Sequence, residues 1–402
     1  MRCARTRNFS LVQVLSAFLI IFAVGENTRA EAAASQELWS LPAQRGEMPL
    51  HILPDTDRPG LIYAAMKDGG LVILKESESG AEDRTGIRIA ARVLPKDLGG
   101  LPVTALARRG DMLYAALGDF FRAQGAPAGL AAIDIGKRTS PQVVSLWKSE
   151  KQRGATCICI DNGYLYLGMM SHGIGIFDIA AGKPRYLGSF LPDTNFPRKN
   201  PGRIAHPNVR DIAIHGNRMY VAYDAGGLRV ADITRPDAPV EMEKYLNAAM
   251  KGRPQAYNGI ALDFNNDSGL AYLTVDYAGL EVVDLGGTQG GIRQIAWLNP
   301  WRAGTRGNNW FNSSGHTNQI RLDRQARKLF ISAGDSELMV VDVSDPGSPK
   351  ITGDSVGTPR DGLGVWSVAR APGSARVYLG YINAVVPFRG KWNGIKAFPV
   401  ER

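Results

Sequence analysis

The chain has 402 residues, 44% of them hydrophobic and 21% charged, with three cysteines and a formal net charge of +9. A chain of this length and apolar content buries a core without disulfides, which excludes both a disulfide-stapled miniature and a disordered chain. The basic surplus is mild and nowhere condenses into a Lys/Arg run interleaved with aromatics, so nucleic acid is not an expected partner.

Met1–Ser10 carries three arginines and no acid, Leu11–Val24 is mainly apolar, and Ala30, Ala32 and Ala34 offer small-x-small cleavage sites. This pattern predicts a secretory signal peptide over 1–32. Its apolar run is too short for a comfortable membrane span. The mature chain, 33–402, is then expected to be periplasmic or secreted, with no stable membrane span after cleavage. Glu37–Leu41 follows as a short strand with no partner of its own.

From Leu61 onward a unit recurs. A strand reading LIYAA, then MLYAA, YLYLG, MYVAY, AYLTV, LFISA and VYLGY, precedes a glycine turn and a Leu-x-Val-x-Asp strand such as Leu228–Asp232. That second strand begins at 71, 130, 174, 228, 280, 338 and 395. Self-similar strands at this period mean a propeller or an array, and seven copies fit one closed ring. The expected fold is all-β, a single seven-bladed β-propeller of four-stranded antiparallel blades. Six blades plus an irregular terminal sheet is the alternative. The last copy has only three strands, so 37–41 is expected to complete it and close the ring. With these residues the chain resembles the LVIVD-repeat family of bacterial exported β-propellers over roughly 37–402. The resemblance implies the architecture and, for function, a binding scaffold.

Inner strands aligned on the Tyr or Phe that follows put Leu50, Thr104, Thr156, Arg210, Asn258, Asn318 and Trp366 at one mouth of the central channel. His51, Ala105, Cys157, Asp211, Gly259, Gln319 and Ser367 come one step deeper. The long connections 192–208, 247–256 and 299–316 fall on the same face, as does the insertion 118–129 with Phe120 and Phe121. Packing does not demand Arg or Asn at such positions. The candidate ligand-binding residues are Arg210, Asn258, Asn318, Trp366, Tyr257, His206, His316, Arg302 and Trp301. Arg198, Lys199, Arg203, Lys251, Arg253, Arg306, Trp310 and Phe311 add to them from the loops. Guanidinium forks beside aromatic rings suit an anionic small molecule, a glycan or a protein partner. No acidic cluster answers these charges nearby in sequence. The plainer reading is polar lining of a water-filled channel.

No P-loop, HExxH or Gly-x-Ser-x-Gly occurs, and no cofactor is expected. His206 and His316 with Asp211 form one metal-ligand set to consider, and the Cys157/Cys159 pair a weaker one. A lyase or hydrolase working at the same mouth through histidine, Tyr257 and Arg210 is the enzymatic alternative. Cys157 and Cys159, two apart on a strand, read as small buried hydrophobes. Asp134, Asp178, Asp232, Asp284 and Asp342 close each repeat strand and read as turn-forming residues rather than calcium ligands.

Overall fold

A computed structural model describes residues 37–400 apart from 78–85, 122–126, 153, 197–206, 251–255, 266–268, 287–290, 306–311, 359–360 and 385–388. The predicted signal peptide lies outside the described residues. No helix among them is long and apolar enough to cross a membrane.

The strands are β1 (Trp39–Pro42); β2 (Glu47–Pro54), β3 (Leu61–Lys67), β4 (Leu71–Glu76) and β5 (Ile87–Val93); β6 (Val103–Arg109), β7 (Met112–Leu117), β8 (Pro127–Asp134) and β9 (Gln142–Gln152). β10 (Cys157–Asp161), β11 (Tyr164–Gly168), β12 (Ile174–Asp178) and β13 (Arg185–Phe190) follow, then β14 (Asp211–His215), β15 (Arg218–Ala222), β16 (Leu228–Asp232) and β17 (Val240–Tyr245). Next come β18 (Tyr257–Phe264), β19 (Gly269–Val275), β20 (Gly279–Asp284) and β21 (Arg293–Leu298), then β22 (Ile320–Asp323), β23 (Lys328–Ser332), β24 (Leu338–Asp342) and β25 (Lys350–Ile351). β26 (Val365–Ala369), β27 (Arg376–Tyr381) and β28 (Gly394–Pro399) end the series.

All pairing in the sheets is antiparallel, as in a propeller of four-stranded blades. The sets β10–β13, β14–β17, β18–β21 and β22–β25 are each one four-stranded sheet in chain order. A fifth has the order β1–β28–β27–β26, with Trp39 opposite Ala397 and Leu41 opposite Ile395. β2 to β9 share a single eight-stranded sheet. Where the repeats lead one to expect seven separate sheets, the described residues thus form five sheets of four strands and one of eight. The join is a single residue pair, Lys67 opposite Val103. Lys67 ends β3 in a left-handed turn. The equivalent turns elsewhere make isolated bridges to the next inner strand: Met170–Val209, Asp224–Tyr257, Asp276–Thr317 and Gly334–Val365.

The inner strands follow one another around a central space. β2 packs beside β6, β6 beside β10, β10 beside β14, β14 beside β18, β18 beside β22, β22 beside β26, and β26 beside β2. Buried apolar clusters fill the gaps between successive sheets. This explains the composition of the middle strands. Met219, Tyr220, Val221 and Ala222 are all buried because each face of the sheet meets a neighbour. The outermost strand β17 leaves Val240 and Met242 exposed.

The turn chemistry is regular. Gly227 has φ 80°, and a Cβ there would stand 2.0 Å from the Tyr245 carbonyl oxygen, so only glycine fits before the repeat strand. At the other end, Asp134, Asp178, Asp232, Asp284 and Asp342 each accept the N–H two residues on, at 2.6–2.9 Å. These are Asx turns.

Candidate functional site

Arg210 stands just before β14, half-buried, and its Nε donates to Asn258 Oδ1 at 3.2 Å. Asn258 in turn donates to the Thr317 carbonyl at 2.9 Å. The Arg210 guanidinium lies 5.9 Å from the Phe120 ring and 5.8 Å from the Trp366 ring, within cation–π range. Phe120 and Phe121 stack at 4.6 Å, and Phe121 lies 5.1 Å from Trp366. Lys67 Nζ is 6.0 Å from Phe121 and 3.2 Å from Asp119. Leu50 and Ile382 pack with Trp366 beneath. β14 and β26 are not neighbours around the ring, so this cluster spans the end of the central space. Phe121 keeps 39% of its surface in solvent.

Acids that are not near these cations in sequence do approach them in the fold. Burial raises the pKa of Asp224, and the Arg210 charge and the Asn208 amide pull it back. Asn208 Nδ2 donates to Asp224 Oδ2 at 2.8 Å. Arg210 and Asp224 are separated by a hairpin and brought together only by the pairing of β14 with β15.

The other nominated residues divide. Tyr257 is fully buried: its hydroxyl donates to Glu281 at 3.1 Å and accepts the Asn247 N–H at 3.1 Å, so it belongs to the wall between two sheets. His316 is fully buried, with its ring 6.4 Å from Tyr277. Asn318 is buried and donates to the His316 carbonyl at 3.4 Å. Trp301 packs over Gly315, where a Cβ would stand 2.1 Å from its ring. Arg302 is exposed in the turn that follows Asn299. His206 and the loop residues Arg198, Lys199, Arg203, Lys251, Arg253, Arg306, Trp310 and Phe311 lie outside the described residues. Asp211 accepts the N–H groups of Ile212 at 2.9 Å and Ile260 at 3.1 Å. Among the described residues no three His, Cys, Asp or Glu side chains are grouped to hold a metal.

Two features were not foreseen. Hydroxyls on, or just before, the first or second strand of one sheet staple it to the inner strand of the next, or to the residues just before that strand. Thr156 donates to Val209 at 2.7 Å, Ser332 to Trp366 at 2.8 Å and Ser367 to Pro49 at 2.7 Å, each onto a carbonyl oxygen, and Thr274 donates likewise to the Asn318 carbonyl. Small hydroxyl residues beside the inner strands were the only signal. Second, Arg229, with no exposed surface, donates to Gly226 and Phe196 carbonyls and to Glu241. Its guanidinium lies 5.0 Å from the Phe196 ring, pinning the start of the 192–208 connection. Cys157 and Cys159 are free thiols. Burial pushes both up, Cys159 to about 12, so they stay protonated at neutral pH.

Residues 208–247 and 329–355 match the LVIVD repeat. The chain carries LVIVD repeats. The first match holds Arg210, Asp224 and Arg229, so part of the mouth is made by a segment that matches the LVIVD repeat. No curated protein matches it. Solved structures of similar fold include the RRP9 WD40 repeats, at 12% identity and a TM-score of 0.62, covering 92% of this chain and 99% of that one. A chain of the mitotic checkpoint complex gives 12% and 0.60, with 98% and 100% covered. U3-55K gives 13% and 0.59, with 92% and 99% covered. At such identities the likeness concerns the fold alone.

Proposed function

We propose that this protein is an exported, seven-bladed binding scaffold whose channel mouth takes a flat, anionic group of a small molecule, a glycan or a partner protein. The observation that carries the reading is the Arg210 cluster. Side chains from four sheets meet at one end of the central space, and they combine aromatic faces with two cations and an amide. Only part of that cluster serves packing, since Phe121 keeps 39% of its surface in water. The unbroken cycle of inner strands, with the β3–β6 join equivalent to the bridges elsewhere, supports counting the eight-stranded sheet as two blades. The N-terminal pattern of 1–32 supports export. The WD40-like fold and the presence of one similar chain in a mitotic checkpoint complex support interaction rather than chemistry. The enzymatic alternative gains no observation, because Tyr257 is enclosed and committed to Glu281.

Calorimetric titration with aromatic carboxylates and sulfated oligosaccharides tests this reading. Binding is expected to weaken about tenfold or more in Arg210→Ala and in Phe121→Ala, and to persist in Arg302→Ala. Undiminished affinity in the first two variants places the binding surface elsewhere.

A further inference from the structure

Each inner strand has one residue directly opposite the aromatic of the next strand. In six of the seven inner strands that residue is small or aliphatic: Leu53, Ala107, Cys159, Ala213, Ala261 and Ala369. In β22 it is Arg321, opposite Phe330. Its Nη2 lies 3.1 Å from His51 Nε2 on β2. β26 stands between β22 and β2 in the cycle, so the Arg321 side chain crosses the central space, into room left by the smaller residues.

A hydrogen-bond census around Arg321 shows a surplus of donors. Arginine only donates, so His51 Nε2 accepts, and the neutral ring carries its hydrogen on Nδ1. The ring is neutral because burial, aided by the Arg321 charge, lowers its pKa to about 3. His51 Nδ1 is buried with no partner. Arg321 spends one further N–H on its own Ile320 carbonyl, at 2.7 Å, which leaves the rest of its fork unspent. Two residues before Arg321, Gln319 Oε1 is a buried acceptor without a partner, while its Nε2 donates to the Leu50 carbonyl at 2.8 Å. Asp211 acts on Arg321 through its field but makes no ion pair with it, both its oxygens already accepting backbone N–H groups. Cys159, protonated, adds no charge. The guanidinium is half-buried, and its unspent N–H groups are free to meet an acceptor-rich group in the channel.

We propose that the central channel, beneath the mouth, binds a small oxyanion on the unspent N–H groups of the Arg321 fork, which His51 orients through Nε2. The site is separate from the Arg210 cluster and does not depend on the reading of the mouth.

Thermal unfolding and calorimetry of the full chain with phosphate, sulfate and acetate, at constant ionic strength, decide the matter. Wild type is expected to gain a saturable rise in Tm with at least one of the three. The apparent Kd should weaken about tenfold or more in Arg321→Gln, and also in His51→Phe, as for loss of a charge-assisted hydrogen bond. If Arg321→Gln does not fold, Arg321→Lys keeps the charge, loses the fork and should still weaken binding. Arg302→Gln, at an exposed arginine outside both clusters, should leave the response in place. No saturable response in wild type means that water fills the channel and overturns the proposal. Equal responses in wild type and both channel variants do the same. Loss in Arg210→Gln alone moves the anion to the mouth, overturning the channel site while the mouth reading stands.

Discussion

Glu281 shows how one residue can set a pH dependence that nothing in the repeat announces. It lies buried between two sheets and accepts hydrogen bonds from Asn247 at 2.8 Å, Tyr245 at 3.0 Å and Tyr257 at 3.1 Å. Burial pushes its pKa up to about 7, and those three donors offset only part of the push. The folded state therefore holds a proton that the unfolded chain, titrating near 4.5, has released. Its contribution to stability is complete below pH 4.5 and fades as pH rises to about 7, by up to ~1.4 kcal/mol per pH unit. Glu281→Gln, which cannot titrate, should remove this slope. Urea unfolding of both proteins from pH 5 to 8 checks it, and parallel curves would show that Glu281 is not the titrating group. The five Asx aspartates were legible in the sequence because their partners lie two residues on. Glu281, Asp224 and Arg321 were not, because their partners come from other strands and the pattern of one strand is silent about them. Arg321 did leave a trace, as the one long residue in a column of small ones.

At the scale of elements, the N-terminal strand and β27 of the sheet it completes are held by one carboxylate. Glu76, at the end of β4, accepts Trp39 Nε1 of β1 at 2.9 Å and the Tyr378 hydroxyl of β27 at 3.3 Å, and pairs with Arg376. Removing it leaves buried donors unsatisfied, which costs more than the net worth of the bonds. Glu76→Ala should lower unfolding stability by about 3 kcal/mol, and Glu76→Gln by less. Chemical denaturation would read the difference, and a loss within experimental error would show the contact to be incidental. The hydroxyl staples predict a smaller effect. Ser367→Ala should cost ~1–2 kcal/mol, because the Pro49 carbonyl loses its donor in a buried setting. An unchanged midpoint would mean that water replaces the hydroxyl. The strands themselves were legible, since the middle ones are apolar on both faces and the turns are fixed by glycine and aspartate. The mouth was legible in part. Arg210, Asn258 and Trp366 do gather there, whereas Tyr257 turns into the wall, because strand alternation predicts a face but not how far neighbouring sheets close over it.

For the whole molecule, the order of pairing matters more than any single contact. The repeat period announced a ring, yet the separation of its sheets was not legible, since one residue pair between β3 and β6 merges two of them and no sequence pattern governs such a join. The ring is shut by strands from opposite ends of the chain, β1 lying on β28. Without β1 the sheet β26–β28 would present a bare edge, and Trp39, buried against Tyr378 with ring centroids 5.8 Å apart, would leave a gap beside Ile395. Exposed edges of this kind recruit strands from other molecules. A chain lacking residues 37–42 should therefore unfold at a clearly lower temperature and self-associate, with the species above monomer growing as concentration rises. Light scattering behind size-exclusion chromatography, run beside calorimetry of the same samples, measures both effects. A monodisperse monomer with an unshifted transition would mean that the packing of β26 against β2 and the Ser367 staple suffice to hold the ring shut, and that β1 merely covers a seam already closed.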